Sequence, residues 1–375
     1  MRILIDMGHP GHVHLFKNFI REMEKRGHDF LVIGREKDIT TRLLDAYNIP
    51  YIPIGKKGVG KLDLIREWAG REYRIIRAAK KFDPQICMGV LNPAIVHAAK
   101  ILGKKSIVFT DSEPEAVKYP IADAITLPFS DVILTLASVK HNYGRKEVRV
   151  NSYKEFASLD PKYFSPDPQV IQDAGLSPNE KYVLIRFVAW DAYHDIGQGG
   201  FGDEEKRRLI CELEKHSKVF ISSESPLPRE FERYRMPITP DKIHDFLYHA
   251  TLLVSDSQTM TTEAAVLGTP AVRCNSFVGK NDMGNFLELE EKYRLIFNCS
   301  SASDATAKAV ELVQTPGLKE EWRLRQKVLL QDKLDITAFM VWFVENYPQS
   351  FVKVKEDPAM QNCIRVWVTG ESTKG

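Results

Sequence analysis

A polar segment in the second half of the chain combines residue types that suit the binding of phosphate. Residues 252–255 form a short apolar run that predicts a buried strand, residues 256–259 a polar turn, and residues 260–267 a helix that Gly268 ends. In a parallel sheet, ligands bind outside the carboxyl ends of the strands, and the first turn of a helix presents unpaired N–H groups to an anion. The candidate nucleotide-binding residues of this segment are Ser257, Gln258, Thr259, Thr261 and Glu263.

Glu263 follows Ser257 at a distance that places it about one turn into the predicted helix. A carboxylate there is positioned to accept two hydroxyls of a ribose in a bidentate hydrogen bond. The alternative is that the segment only caps a helix, because Ser and Thr are common N-caps and an acidic residue interacts well with the helix dipole. Spacing alone leaves both interpretations open.

A second group of chemically capable residues follows the first apolar run. Residues 7–14 read MGHPGHVH, between a predicted strand and the helix 13–26. Gly8 and Gly11 allow close backbone approach to a ligand, and His12 at the helix start is a candidate general base or phosphate ligand. The alternatives are that the three histidines cap and pack the turn, or that they bind a metal ion. Their spacing disfavours convergence on one ion, so we expect no metal and no other cofactor.

Two carboxylates, Asp111 and Glu113, follow the predicted strand 106–109. Carboxylates at the end of a strand are suited to act as a general base that activates an acceptor hydroxyl. The alternative is a charged turn that is only solvated.

Further candidates come from the second half of the chain. Arg186 ends the predicted strand 182–187 and is suited to clamp a diphosphate. The aromatic and glycine-rich segment 190–200 is typical of a mobile loop that closes over a sugar or base. Lys280 and Asn281 are weaker candidates, because a plain turn explains them equally well.

The fold that positions these residues is predicted from the pattern of apolar and polar residues along the chain. Short apolar runs alternate with longer amphipathic stretches, which predicts right-handed βαβ units and parallel sheets. A proline-rich break divides the pattern, so we predict an α/β fold with two Rossmann-like parallel-sheet domains that face a central cleft. The predicted boundaries are 1–150 for an acceptor-side domain, 151–179 for a linker, 180–334 for a nucleotide-binding domain, 335–348 for a closing helix and 349–375 for a tail.

Composition excludes several classes of protein. The 375 residues carry a net charge of +2, from 52 Lys and Arg against 50 Asp and Glu, which argues against nucleic acid as the main partner. No window approaches the ~20 apolar residues that a membrane-spanning helix needs. The five cysteines are widely separated, a pattern typical of a reduced, cytoplasmic chain.

Two stretches keep a peripheral membrane contact open. The apolar helix predicted at 336–347 is expected to dock on the core, with an interfacial membrane helix as the alternative. The helix predicted at 62–82 is rich in Arg and Lys; its basic face is either solvated or contacts anionic lipid headgroups or a lipid-diphosphate acceptor at the inner face of the membrane.

Residues 55–61 fit the G-x-x-x-x-G-K spacing of a P-loop. Leu62 follows, so the hydroxyl that holds magnesium in a P-loop is missing. A flexible acceptor-side loop is the better interpretation.

The polar segment 256–264 and the Leu-Gly-Thr-Pro that follows at 267–270 resemble the nucleotide-binding segment of the non-hydrolysing UDP-N-acetylglucosamine 2-epimerases, D-S-G-G-x-x-E-E-A then L-G-x-P. The resemblance implies that Ser257 contacts phosphate and Glu263 binds ribose. Gly11 and His12 resemble the end of the glycine-rich loop of MurG-like glycosyltransferases, which faces the acceptor or the diphosphate. The layout of both domains is similar to these glycosyltransferase-B-fold proteins, and the chain resembles an uncharacterised prokaryotic family that is known only by a domain-of-unknown-function label.

The chain departs from the epimerase pattern at three places. Gln258 and Thr259 replace two glycines, Val90 replaces an aspartate, and residues 186–190 replace a histidine-arginine run. The second and third differences favour a transferase over an epimerase. We therefore predict a metal-independent glycosyltransferase that uses a nucleoside-diphosphate sugar, with UDP favoured, and a lipid-linked or glycan acceptor. A UDP-sugar epimerase or hydrolase and a non-catalytic sugar-nucleotide-binding subunit are the alternatives.

Overall fold

The computed structural model of the chain contains two compact units. It describes residues 1–35, 38–54, 61–111, 113–114, 121–178, 180–189, 199–223, 226–279 and 282–364. Among these residues, 1–114, 121–158 and 334–364 form the first unit and 159–333 form the second. The chain therefore passes between the units within the predicted linker 151–179 and passes back at 333–334.

The first unit is built on a seven-stranded sheet with the order β3-β2-β1-β4-β5-β6-β7, and all of its pairings are parallel. Its strands are β1 Arg2–Met7, β2 Asp29–Gly34, β3 Tyr51–Pro53, β4 Ile86–Val90, β5 Lys105–Phe109, β6 Val132–Leu136 and β7 Glu147–Val150. Its helices are α1 Pro10–Lys25, α2 Asp38–Ala46, α3 Lys61–Phe82, α4 Pro93–Ile101 and α5 Ile121–Thr126, and α6 Phe156–Leu159 belongs to it except for its last residue. The central strand β4 is wholly apolar and β1 is apolar apart from Arg2 and Asp6, as expected for strands covered on both faces.

The second unit holds a five-stranded parallel sheet with the order β12-β11-β10-β8-β9. Its strands are β8 Tyr182–Phe187, β9 Lys218–Ser223, β10 Leu252–Ser255, β11 Ala271–Cys274 and β12 Ile296–Cys299. Its helices are α7 Gln169–Asp173, α8 Asp203–Glu214, α9 Ile243–His249, α10 Gln258–Leu267, α11 Gly284–Leu287, α12 Ala302–Gln314 and α13 Leu318–Asp332. A single π-helical turn, Glu288–Lys292, follows α11.

Two more helices, α14 Ile336–Glu345 and α15 Gln349–Glu356, belong to the first unit. Phe339 and Phe343 of α14 are buried, and Glu345 accepts hydrogen bonds from Arg26 and His28 just after α1 (3.0 Å each). The expected docking of this helix on a core is therefore observed. The region predicted as a tail differs: it contains α15 and a 3-10 turn at 358–363.

In the part of the chain that the structure describes, no helix combines the length and apolar character needed to cross a membrane. The basic helix α3 presents Arg74, Arg77, Lys80 and Lys81 as exposed side chains, whereas Arg71 turns inward.

Candidate functional site

Asp256 organises the carboxyl edge of the second sheet. Its buried carboxylate accepts a hydrogen bond from the Val188 N–H after β8 (2.8 Å), and its carbonyl accepts one from Nδ2 of Asn275 after β11 (2.9 Å). Gly200 packs against the same side chain so tightly that a Cβ there would lie 2.7 Å from the Asp256 Cγ. Asp256 thus fixes the segments that leave three adjacent strands.

Ser257 is the N-cap of α10, as its residue type favours. The Ser257 Oγ accepts a hydrogen bond from the Met260 N–H (3.3 Å), and the Ser257 N–H donates to Oγ of Ser255 (2.8 Å). The Thr261 hydroxyl is fully buried and donates to the Ser257 carbonyl (2.7 Å), so it supports the cap and is not directed at a ligand. Gln258 and Thr259 are partly exposed at the first turn of α10. These are the positions at which the epimerase segment described above has two glycines.

Glu263 lies on α10 with its side chain only 9% exposed. Its Oε1 is 3.0 Å from Nε2 of His244 on α9. Sequence reasoning missed His244, because nothing in its local pattern separates it from any other helix residue.

Arg186 lies at the carboxyl end of β8, beside Ser255 of β10. Its Nη1 donates to Oγ of Ser222 on β9 (2.7 Å). The guanidinium is therefore held at the same sheet edge as the start of α10.

Arg273 of β11 is a buried cation that the sequence analysis did not single out. It forms an ion pair with Asp282 and stacks on the Phe286 ring, with its guanidinium carbon 3.6 Å from the ring centre. Burial lowers the pKa of Arg273 to about 10, against the opposing effect of Asp282. Within the described residues, its Nε and Nη1 have no hydrogen-bond partner.

Several candidates lie outside the described residues. These are Lys280, Asn281, residues 190–198 of the aromatic loop and residues 55–60 of the P-loop-like segment.

The histidines of the first unit form a compact turn at the start of α1. His9 is the N-cap and its Nδ1 accepts from the Gly11 N–H (3.1 Å), while Nδ1 of His12 accepts from the Gly8 N–H (3.3 Å). An acceptor Nδ1 favours the neutral tautomer of His12 with its proton on Nε2. In that form the Nε2 of His12 is a hydrogen-bond donor and not a proton acceptor. His14 is buried in the same turn.

A buried cluster below this turn was not foreseen. The Asp6 carboxylate is fully buried and is bound by Arg71 of α3 (2.8 and 2.7 Å) and by Nδ2 of Asn92. The Asn92 side-chain oxygen also caps α4, accepting from the Ala94 N–H (3.0 Å). Burial raises the pKa of Asp6, and the positive charge of Arg71 opposes that rise.

Both candidate bases of the first unit have partners inside the protein. Asp111 forms an ion pair with Lys154, and Glu113, which is buried, accepts from the Lys140 N–H (3.1 Å). The solvated-turn alternative therefore does not describe Glu113. Across the described ranges, no three His, Cys, Asp or Glu side chains are grouped to hold a metal ion.

The family described as "Protein of unknown function (DUF354)" matches residues 1–282, so the chain belongs to that family. An uncharacterised relative, MJ0665 of Methanocaldococcus jannaschii, is 23% identical over 286 residues, which are 72% of this chain and 81% of the relative. The suspected membership of an uncharacterised family is thus confirmed.

Solved structures of low sequence identity share the fold. MnaA of S. aureus, solved with UDP, has a TM-score of 0.65 at 13% identity and covers 93% of this chain and 97% of its own. The UDP-GlcNAc 2-epimerase of M. jannaschii has a TM-score of 0.61 at 16% identity, with coverage of 88% and 99%. The spinosyn rhamnosyltransferase SpnG, solved with thymidine diphosphate, has a TM-score of 0.58 at 12% identity, with coverage of 92% and 100%. The predicted glycosyltransferase-B-like fold is therefore confirmed.

Proposed function

We propose that this DUF354 protein binds a nucleoside-diphosphate sugar through its second unit and transfers the sugar to an acceptor bound by its first unit. The observation that carries the proposal is the start of α10: a Ser257-capped helix N-terminus at the carboxyl end of β10, with Glu263 about one turn further on. Unpaired amides of a first turn stabilise phosphate, and a carboxylate there suits a ribose. Among its structural neighbours, MnaA was solved with UDP, SpnG was solved with thymidine diphosphate, and one is a UDP-GlcNAc 2-epimerase.

In this proposal, the leaving diphosphate is stabilised by electrostatics and not by an obligatory metal. The Ser257 hydroxyl, the first-turn amides and the Arg186 guanidinium supply the donors, because all three lie at one sheet edge. Gln258 and Thr259 add side-chain donors where the resembling family offers bare backbone. UDP is the favoured nucleotide, from the resemblance to UDP-sugar enzymes.

The first unit would supply the acceptor side. His12, in the tautomer with its proton on Nε2, would donate to a phosphate or hydroxyl above the Gly8 and Gly11 turn. Asp111 or Glu113 would act as base after release from its present partner. A lipid-linked acceptor fits the exposed cations of α3, which would contact anionic headgroups at the inner face of the membrane.

A second candidate function is a sugar-nucleotide-binding protein without transfer. The pairing of Asp111 with Lys154 favours it, since this carboxylate is engaged by a lysine within the protein and must be released before it could serve an acceptor. An epimerase or hydrolase is less favoured, because Val90 ends β4 where the epimerases carry an aspartate.

Nucleotide binding is tested first, by thermal shift of the full chain against UDP, GDP, ADP, thymidine diphosphate and CMP. A ligand that binds the folded state raises the Tm in proportion to ln(1 + [L]/Kd), and we expect UDP to give the largest rise. The proposal fails if none of these nucleotides raises the Tm.

Activity is tested next with UDP-GlcNAc. Release of UDP, or formation of a 2-epimer, without any acceptor would identify a hydrolase or epimerase. Release of UDP only after addition of a lipid-diphosphate or glycan acceptor supports the transferase, and binding without turnover in either case supports the non-catalytic candidate.

A further inference from the structure

The carboxylate proposed to bind ribose is held by a second buried side chain. Glu263 Oε1 lies 3.0 Å from His244 Nε2, and the two side chains are 9% and 3% exposed. A carboxylate removed from water needs a donor, and the His244 ring supplies one. The pair joins α9 to α10.

The His244 bond leaves Glu263 able to bind a diol. Each carboxylate oxygen accepts two hydrogen bonds, so Oε1 keeps one acceptor site and Oε2 keeps two. Two ribose hydroxyls require only one site on each oxygen. Fixing the carboxylate before the ligand arrives also removes the entropic penalty of ordering a flexible Glu side chain on binding.

Contacts with neighbouring segments hold His244 and the start of α9 in place. Its ring packs edge-on against Phe164, with ring centres 6.3 Å apart and planes at 88°. The neighbouring Asp245 accepts from the Asp167 N–H (2.8 Å), and Lys242 pairs with the Asp167 carboxylate (2.9 Å). The start of α9 is therefore tied to the segment before α7.

We propose that His244 is a positioning residue that orients Glu263 for the two ribose hydroxyls and so sets the preference of the site for ribonucleotides. This inference rests on the proposed function of Glu263. It predicts that loss of the His244 donor weakens recognition of the ribose while the diphosphate is still recognised by the start of α10.

The experiment measures the Kd of UDP, 2′-deoxy-UDP and inorganic pyrophosphate by titration calorimetry of the full chain. His244→Phe keeps an aromatic ring against Phe164 without a donor, and His244→Gln keeps a donor. We expect His244→Phe to reduce the preference for UDP over 2′-deoxy-UDP about tenfold, the scale of one hydrogen bond to a charged group, with pyrophosphate binding unchanged. His244→Gln should retain most of the preference.

His249→Gln is the matched control, because His249 lies on the same helix and its ring contacts Tyr248. It should leave the UDP preference unchanged. Glu263→Ala should abolish that preference. If Glu263→Ala abolishes it and His244→Phe does not reduce it, the role of His244 is overturned and that of Glu263 stands. If the wild type shows no preference, or Glu263→Ala keeps it, the proposed ribose site fails and the inference fails with it.

Discussion

A single nitrogen of Arg71 holds both oxygens of Asp6: its Nη2 lies 2.8 Å from Oδ1 and 2.7 Å from Oδ2 of this fully buried carboxylate. Removing the cation leaves a buried charge with much less compensation, so we expect Arg71→Gln to lower the free energy of unfolding by about 3 kcal/mol. Arg74 lies on the same helix but is exposed, and Arg74→Gln should change it by less than about 0.5 kcal/mol. Urea unfolding measures both; equal effects would contradict the assignment.

The same pair predicts a pH dependence. Burial raises the pKa of Asp6, so the folded state binds more protons than the unfolded state, and the carboxyl lowers stability as pH rises from about 4 towards neutral. Without Arg71 this pKa rises further, because the opposing positive charge is gone. We therefore expect the destabilisation by Arg71→Gln to be smaller at pH 5 than at pH 7. A difference that stays constant between these two pH values would argue against a buried, ionised Asp6.

Lys319 of α13 caps the end of α9. We expect it to give stability the opposite pH dependence to that of Asp6, at high pH. Its Nζ donates to the carbonyl of His249 (2.9 Å), and burial lowers the pKa of Lys319 from 10.5 to about 8. Between these two pKa values the unfolded state binds more protons than the folded state. Lys319 therefore raises the free energy of unfolding as the pH rises. We expect Lys319→Met, which has no group to titrate, to lose this effect, about 2 kcal/mol between pH 7 and pH 9.5. Lys327→Met, at an exposed site of the same helix, should keep the wild-type slope.

Apolar runs were enough to predict the two parallel sheets and the strand before α10, since strands buried on both faces have a strong local signal. β7 was missed because its sequence, Glu-Val-Arg-Val, is half polar. The Glu147 in it is buried, and its carboxylate accepts hydrogen bonds from the Thr135 hydroxyl of β6 (2.8 Å) and from the Tyr143 N–H (3.3 Å). The return of α14 to the first unit likewise depends on contacts with residues far away in sequence.

The side chains that sequence reasoning missed share this property. His244 is 19 residues from Glu263, and Arg71 is 65 residues from Asp6. The members of each pair are in contact because the fold brings their strands and helices together. The sequence around either member does not indicate its partner. Helix caps such as Ser257 were predictable because capping is a local interaction.

Gly268 ends α10 in the left-handed conformation, with φ of 68°. A Cβ there would also lie 2.6 Å from Oε1 of Gln326. Gly317 has the same φ and nothing within 4 Å, so it separates backbone strain from overpacking. We expect Gly317→Ala to lower the free energy of unfolding by about 1 kcal/mol and Gly268→Ala by about 3 kcal/mol. Denaturant melts compare the two, and equal losses would show that Gln326 moves aside freely.

Substitutions of Gly199 and Gly200 test how closely the chain packs against the Asp256 side chain. A Cβ at residue 200 would lie 2.5 Å from Cβ and 2.7 Å from Cγ of Asp256, whereas one at residue 199 would meet nothing within 4 Å. Asp256 has little room to move, because it is buried and its carboxylate is bound to the Val188 N–H. We therefore expect Gly200→Ala to lower the free energy of unfolding by about 2 kcal/mol and Gly199→Ala to change it by less than about 0.5 kcal/mol.

A double-mutant cycle tests whether the loss of stability caused by Gly200→Ala comes from its contact with the Asp256 side chain. Asp256→Gly removes the side-chain atoms that lie nearest to the new methyl group, so the effect of Gly200→Ala should largely disappear in that background. The cycle is measured by urea unfolding of the four proteins. If Gly200→Ala is as harmful in the Asp256→Gly background as in the wild type, its effect comes from the backbone at residue 200, and the close packing of these two residues does not order the sheet edge next to α10.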